Sequence, residues 1–100
     1  MSAYFTAPAD DSWLRNAACR RPGVDPDWFF PLQENGPSLS LARSICDRCP
    51  VQLLCLRDAM ASEGGKPLGS RHGVYAGLTP GQRVALYRQV RERANGEAAA

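Results

Sequence analysis

No apolar run in this 100-residue chain approaches the ~20 residues that a membrane-spanning helix requires, although 44% of its residues are hydrophobic, many of them alanine. No basic segment followed by an apolar stretch opens it, so nothing reads as a secretion signal and a cytoplasmic location is expected. In that compartment cysteines serve more often as metal ligands or redox groups than as structural disulfides. No stretch alternates convincingly with the strand period, and there is no repeat, heptad series or low-complexity tract. Histidine is nearly absent: His72 stands alone in a glycine-rich loop, where a solvent-exposed residue is expected rather than a fifth ligand or pH sensor. "GGKPLG" is not a phosphate loop, because Pro67 follows the lysine where Ser or Thr would be needed.

A chain this short forms one domain and buries a modest fraction of its surface. Residues 1–10 and 95–100 carry no usable period and are expected to be disordered tails around a domain spanning 11–94. At that size, natural domains often lean on disulfides or a metal.

The expected architecture is all-α, four short helices. "DDSWLRNAAC" reads as a helix capped by Asp11 or Ser12 that delivers Cys19 at its end. "RRPGVDPDWFFP" has prolines at 22, 26 and 31 and reads as an ordered loop holding three consecutive aromatics, Trp28, Phe29 and Phe30. After a turn at Asn35-Gly36-Pro37, Ser38 offers a cap for a second helix with Leu41 and Ile45 four residues apart, ending at Cys46. Pro50 suits the first turn of a third helix, "PVQLLCLRDAMA", whose apolar residues cover most of its circumference and predict burial. Five glycines and a proline in residues 62–78 forbid helix. Thr79 then caps and Pro80 starts the last helix, with Val84, Tyr87 and Val90 along one side and Arg83, Arg88, Arg91 and Arg93 elsewhere.

Net charge is unevenly spread: residues 1–65 carry six Arg against eight acids, whereas residues 66–100 carry one Lys and five Arg against two Glu. The basic end permits contact with nucleic acid, and an ordinary solvated face would look the same.

The four cysteines follow Cys-x26-Cys-x2-Cys-x5-Cys. Structural zinc sites usually present two close pairs, and here there is one, so zinc is possible but the spacing is unusual for it. An iron–sulfur cubane is wider than one ion and can be reached at separate corners by ligands on a loop (Cys46, Cys49), a helix start (Cys55) and a distant helix end (Cys19). "CDRC" also permits a redox dithiol, although a thioredoxin-like fold would need strands. Arg20, Arg21 and Arg48 beside the cysteines either lower thiol pKa values or are simply solvated, and Leu53, Leu54 and Leu56 would keep water from one side of the site.

Taken together, Cys19, "DPDWFFP", "CDRCPVQLLC", the turn "GVYAG" and the basic last helix resemble the WhiB-like proteins of actinobacteria and their phages over residues 11–94. The resemblance implies a non-enzymatic transcription regulator that binds a [4Fe-4S] cluster through Cys19, Cys46, Cys49 and Cys55. It also implies that the cluster is held against the C-terminal region of the principal sigma factor, near promoter DNA, and that dioxygen or nitric oxide acts on the cluster. Trp13, Phe29 and Phe30 fall on the family's aromatic positions near the cluster, and Tyr75 falls where the turn usually reads Gly-Val-Trp-Gly-Gly; the resemblance implies that these four aromatics are the surface contacts with the sigma factor. Arg83, Arg88, Arg91 and Arg93 are the expected phosphate contacts. No AT-hook follows the last helix, so direct minor-groove reading is not expected.

Overall fold

The structure, a computed structural model, describes residues 4–31 and 36–99. Three α-helices carry the fold: α1 (Pro37–Asp47), α2 (Gln52–Glu63) and α3 (Pro80–Ala99). Short 3-10 turns occupy Ser12–Asn16, Ala18–Arg20, Pro26–Phe29 and Leu68–Ser70, and no strand forms among the described residues beyond one isolated bridge between Tyr75 and Leu78. The all-α expectation holds, with three α-helices in place of four.

The missing helix is "DDSWLRNAAC", which becomes two 3-10 turns interrupted by Ala17 in an extended conformation. So few residues repay the cost of helix nucleation poorly, and tighter turns take over. Neither expected cap acts as one: Asp11 makes no side-chain cap, while Asp10 Oδ1 accepts from the Ser12 amide at 2.9 Å. Downstream, the Asp25 carboxylate accepts from the Asp27 amide and Pro26 takes the first position of the next turn, so the aromatic loop is locally helical.

α1 enters through Gly36, with φ at 98°, and Pro37, so Ser38 lies inside the helix rather than capping it; Asn35 is outside the described residues. Its buried stripe is Leu39, Ala42 and Cys46, packed on Phe29 and Val74, while Leu41 is exposed. α2 starts two residues later than Pro50 and ends at Gly64, whose amide donates to the Met60 carbonyl. It buries Ala59, Met60 and Ala61, but Leu53 is 68% exposed, so α2 is not buried all round and Leu53 shields nothing. α3 opens with a reciprocal cap: Thr79 Oγ1 accepts from the Gln82 amide at 3.2 Å, and Gln82 Oε1 accepts from the Thr79 amide at 2.9 Å. It continues to Ala99, past the expected boundary at 94. At the other end, Tyr4 stacks edge-on against Tyr87 at 5.5 Å and Thr6 accepts from Arg57, so residues 4–6 lie against the helices.

The glycine-rich stretch 64–78 has little regular structure, and two buried arginines hold its backbone. Arg83, 0% exposed, grips both carboxylate oxygens of Glu63 at 2.9 Å and donates to the carbonyls of His72, Gly73 and Leu78. Arg71 donates to the same carboxylate at 2.7 Å and to the carbonyls of Lys66 and Gly64. This corrects the expectation for Arg83: its guanidinium is committed to the fold and is withdrawn from any phosphate. The side chain of His72 is exposed, as expected.

Removing one partner of a buried ion pair leaves the other charge uncompensated, which costs about 3–5 kcal/mol. Glu63→Ala strands two guanidinium groups and should destabilise the protein by at least that range in urea unfolding followed by circular dichroism. Arg88→Ala, on the exposed side of α3, should change stability by less than ~0.5 kcal/mol.

Candidate metal centre

Each cysteine comes from a different local setting. Cys19 sits on the Ala18–Arg20 turn, Cys46 near the end of α1, Cys49 in the link to α2 and Cys55 in the first turn of α2. The link is a tight knuckle: the Cys49 amide donates to the Cys46 carbonyl at 3.1 Å, and the Gln52 amide to the Cys49 carbonyl at 3.3 Å. Across 31 positions of sequence, the Ala18 amide donates to Cys49 Sγ at 3.3 Å, which fastens the Cys19 segment to the knuckle. All four thiols are free and line one cavity of about 790 Å³. Among the described residues, no three Cys, His, Asp or Glu side chains converge as a single metal ion would require.

Trp13, Leu14, Phe29, Ile45 and Val74 supply apolar wall, and Phe30 and Tyr75 lie toward its outer side, 53% and 39% exposed. Phe29 is 7% exposed and belongs to the core with Leu39, Ala42, Cys46 and Val74, so it is corrected from a surface contact to a packing residue that also reaches the cavity. The 3-10 turn ends at Phe29, and Phe30 follows it in a non-helical conformation, φ −126° and ψ 59°, which separates the roles of the two rings. Trp13 is half-buried, and its Nε1 is buried without a partner among the described residues. A buried N–H left unpaired is costly, so this wall holds a donor in want of an acceptor. Sulfur-rich clusters accept such bonds, and soft thiolates bind iron–sulfur clusters as well as zinc, so the residues present are compatible with a metal cluster.

Burial pushes the Cys46 thiol up and the Cys55 thiol up to about 11. The Gly77 amide opposes that shift at Cys46 and the Ala76 amide opposes it at Cys55, while the neighbouring cysteines add to it. The expected lowering by arginines is therefore not what governs these two thiols; Arg20, Arg21 and Arg48 are exposed. A bound cation reverses the burial effect, because it supplies the charge that a buried thiolate lacks.

The amides of Ala76 and Gly77 come from a tight turn closed by Tyr75 N–H to Leu78 O at 3.2 Å and Leu78 N–H to Tyr75 O at 3.0 Å. Both central residues have positive φ, 55° at Ala76 and 80° at Gly77, which defines a type I′ turn. Outside glycine that conformation is strained by ~1–2 kcal/mol. Arg43 Nε donates to the Gly77 carbonyl at 3.1 Å and Gln52 Nε2 to the Ala76 carbonyl at 3.1 Å, so α1 and α2 hold the strained turn. Tyr75 lies over the Arg83 guanidinium at 5.0 Å. Neither Gln52 nor Arg43 stands out in the sequence; each precedes a cysteine by three positions, which places it on the same helix face. Ala76→Gly relieves the strain but adds freedom to the unfolded chain, a cost of ~0.5–1 kcal/mol, so a net gain of up to ~1 kcal/mol is expected in thermal unfolding. Ala76→Val, with a branched side chain at positive φ, should destabilise.

The protein-family model described as "Transcription factor WhiB" matches residues 13–86. The chain is 36% identical over 80 residues to transcriptional regulator WhiB1 of Mycobacterium tuberculosis H37Rv, covering 77% of this chain and 86% of that one. It is 33% identical over 90 residues to transcriptional regulator WhiB2 of Bifidobacterium longum, covering 90% and 81%. It is also 37% identical over 86 residues to transcriptional regulator WhiD of Streptomyces coelicolor, covering 81% and 70%. The cysteines, the aromatic loop and the turn at 73–77 all fall inside the matched span, and the chain belongs to the WhiB family.

Proposed function

We propose that this protein is a non-enzymatic transcription regulator that holds a [4Fe-4S] cluster on Cys19, Cys46, Cys49 and Cys55 and works with the C-terminal region of the principal sigma factor. The observation that carries the reading is the shared cavity: four thiols from four separate settings line it without converging on a point, beneath an aromatic wall. A group wider than one ion suits that spread better than zinc does. The relatives' names support a role in transcription.

When bound, the cluster supplies a redox-active centre whose potential and stability depend on the hydrogen bonding and solvent exposure around it. The chain's residues do the rest. Phe30 and Tyr75, with Trp13 behind them, offer the kind of aromatic surface that dominates binding energy at interfaces. On α3, Arg88, Arg91 and Arg93 are exposed and can each meet a phosphate. A few such contacts give sequence-independent binding near ~10⁻⁴ to 10⁻⁶ M, too weak to select promoters alone. Docking on the sigma factor would raise the effective concentration of α3 at DNA already held by polymerase.

Protein purified without oxygen should be brown and contain about four iron and four sulfide per chain, as four thiolate ligands imply. Colourless protein with stoichiometric zinc would refute the cluster. Cys19→Ser should abolish stable cluster binding, and unchanged iron content in that variant would remove Cys19 from the ligand set.

A paired experiment separates the two surfaces. Phe30→Ala should lose co-purification with the sigma factor's C-terminal region and keep its iron, whereas Arg88→Ala with Arg91→Ala should keep the sigma factor and lose in vitro transcriptional activation. Tight, sequence-specific DNA binding by the isolated protein at physiological salt would contradict this division of labour.

A further inference from the structure

The turn at Tyr75–Leu78 spends the amides of Tyr75 and Leu78 on its own closure and leaves those of Ala76 and Gly77 uncommitted among the described contacts, with Ala76 in the cavity wall and a Cβ at Gly77 falling 3.7 Å from the Cys46 Cβ. Successive amides in such a turn form a concave site for negative charge. The carbonyl of Ala76 and the N–H of Gly77 belong to one planar, trans peptide unit, so they point in opposite directions. Gln52 grips that carbonyl, and in doing so it fixes the direction of the Gly77 N–H, which lies beside Cys46. Arg43 holds the next carbonyl and, through 2.7 Å to Gln82 Oε1, is itself braced by the start of α3. The arrangement repeats on two helices. On α1, Arg43 precedes Cys46 by three residues; on α2, Gln52 precedes Cys55 by three. Each helix therefore delivers one thiol and, from the same face, one side chain that fixes the turn lying against the thiols.

We propose that the amides of Ala18, Ala76 and Gly77 and the indole N–H of Trp13 form a donor cage around the sulfur atoms of the bound cluster, and that Gln52 and Arg43 are the positioning residues that hold the turn's two donors in place. This rests on the cluster reading above. Reduction adds negative charge, and N–H donors aimed at sulfur stabilise the more negative state, so the cage raises the reduction potential. It also accounts for the buried, unpaired Nε1 of Trp13 and for the strained backbone at Ala76, which persists because side chains from two helices over-determine it.

The test uses cluster-loaded protein purified without oxygen, with iron and sulfide measured first on the wild type. A wild type without iron refutes the cluster reading itself, before any variant is compared. On loaded protein, Gln52→Leu removes the donor at similar volume, Trp13→Phe removes one N–H and keeps an aromatic ring, and Arg43→Met is compared with Arg43→Lys, which retains a donor. Two quantities are read: the reduction potential from an optical redox titration, and the couplings of exchangeable deuterons in pulsed EPR of the reduced cluster after transfer to deuterated water. Gln52→Leu, Trp13→Phe and Arg43→Met should each move the potential negative, by up to about tenfold in the redox equilibrium, or 59 mV for one electron. Trp13→Phe should lose one coupled deuteron, Gln52→Leu should weaken another, and Arg43→Lys should restore most of the change seen in Arg43→Met. If Gln52→Leu does not fold, the Trp13 variant and the Arg43 pair decide. Iron-loaded variants with the wild-type potential and unchanged deuteron couplings would overturn the cage and leave these side chains a packing role.

Discussion

One carboxylate holds the fold together. Glu63, at the last turn of α2, accepts from Arg71 and Arg83, and the two guanidinium groups spend their remaining donors on five carbonyls of the stretch 64–78. That stretch has too few apolar residues to pack itself down, and its backbone would otherwise lie with unsatisfied acceptors over the protein. The arrangement places two buried cations on one anion, which is tolerable because nearly every donor is matched to an oxygen. Through this anchor the C-terminal end of α2, the turn at 75–78 and the first turns of α3 occupy fixed positions relative to one another.

The apolar core is small by comparison. Its central cluster gathers Phe29, Leu39, Ala42, Cys46 and Val74, and beside it lies a cavity with the other three thiols in its wall. A domain of this size nets only ~5–15 kcal/mol, while a structural metal site contributes ~10–16 kcal/mol. On that comparison, a metal group bound by the four thiols as proposed above would make binding and folding one thermodynamic event. The elements that carry Cys19 are short 3-10 turns, which have little stability of their own and are tied to the rest by the Ala18 to Cys49 bond.

What could be read from sequence follows from how local the physical cause is. Thr79 and Pro80 start α3 because a hydroxyl cap and a fixed φ act within a few residues, and the cysteine spacing survives into the structure as one shared cavity. Arg83 was illegible for the opposite reason. On a helix with several arginines it looks like any solvated residue, and its partner lies 20 positions away. Phe29 and Phe30 are chemically alike, and only the end of the 3-10 turn between them sends one inward and leaves the other out. Leu53 belongs to an apolar circumference that predicts burial, whereas the neighbours of α2 cover only part of that circumference. The glycine at 77 announces a turn, but the left-handed Ala76 before it does not, since alanine carries no mark of positive φ.

The hydrogen bond from Arg43 to Gln82 joins the cysteine-facing turn to the first turn of α3, and nothing comparable restrains the far end of that helix among the described contacts. α3 is thus held over its first turns and projects from there toward its basic end. At ~1.5 Å of rise per residue, Arg93 stands roughly 20 Å from Pro80. A bend of about 10° over that span would carry it some ~3.5 Å, close to the ~3.4 Å by which each nucleotide advances along the DNA helix axis.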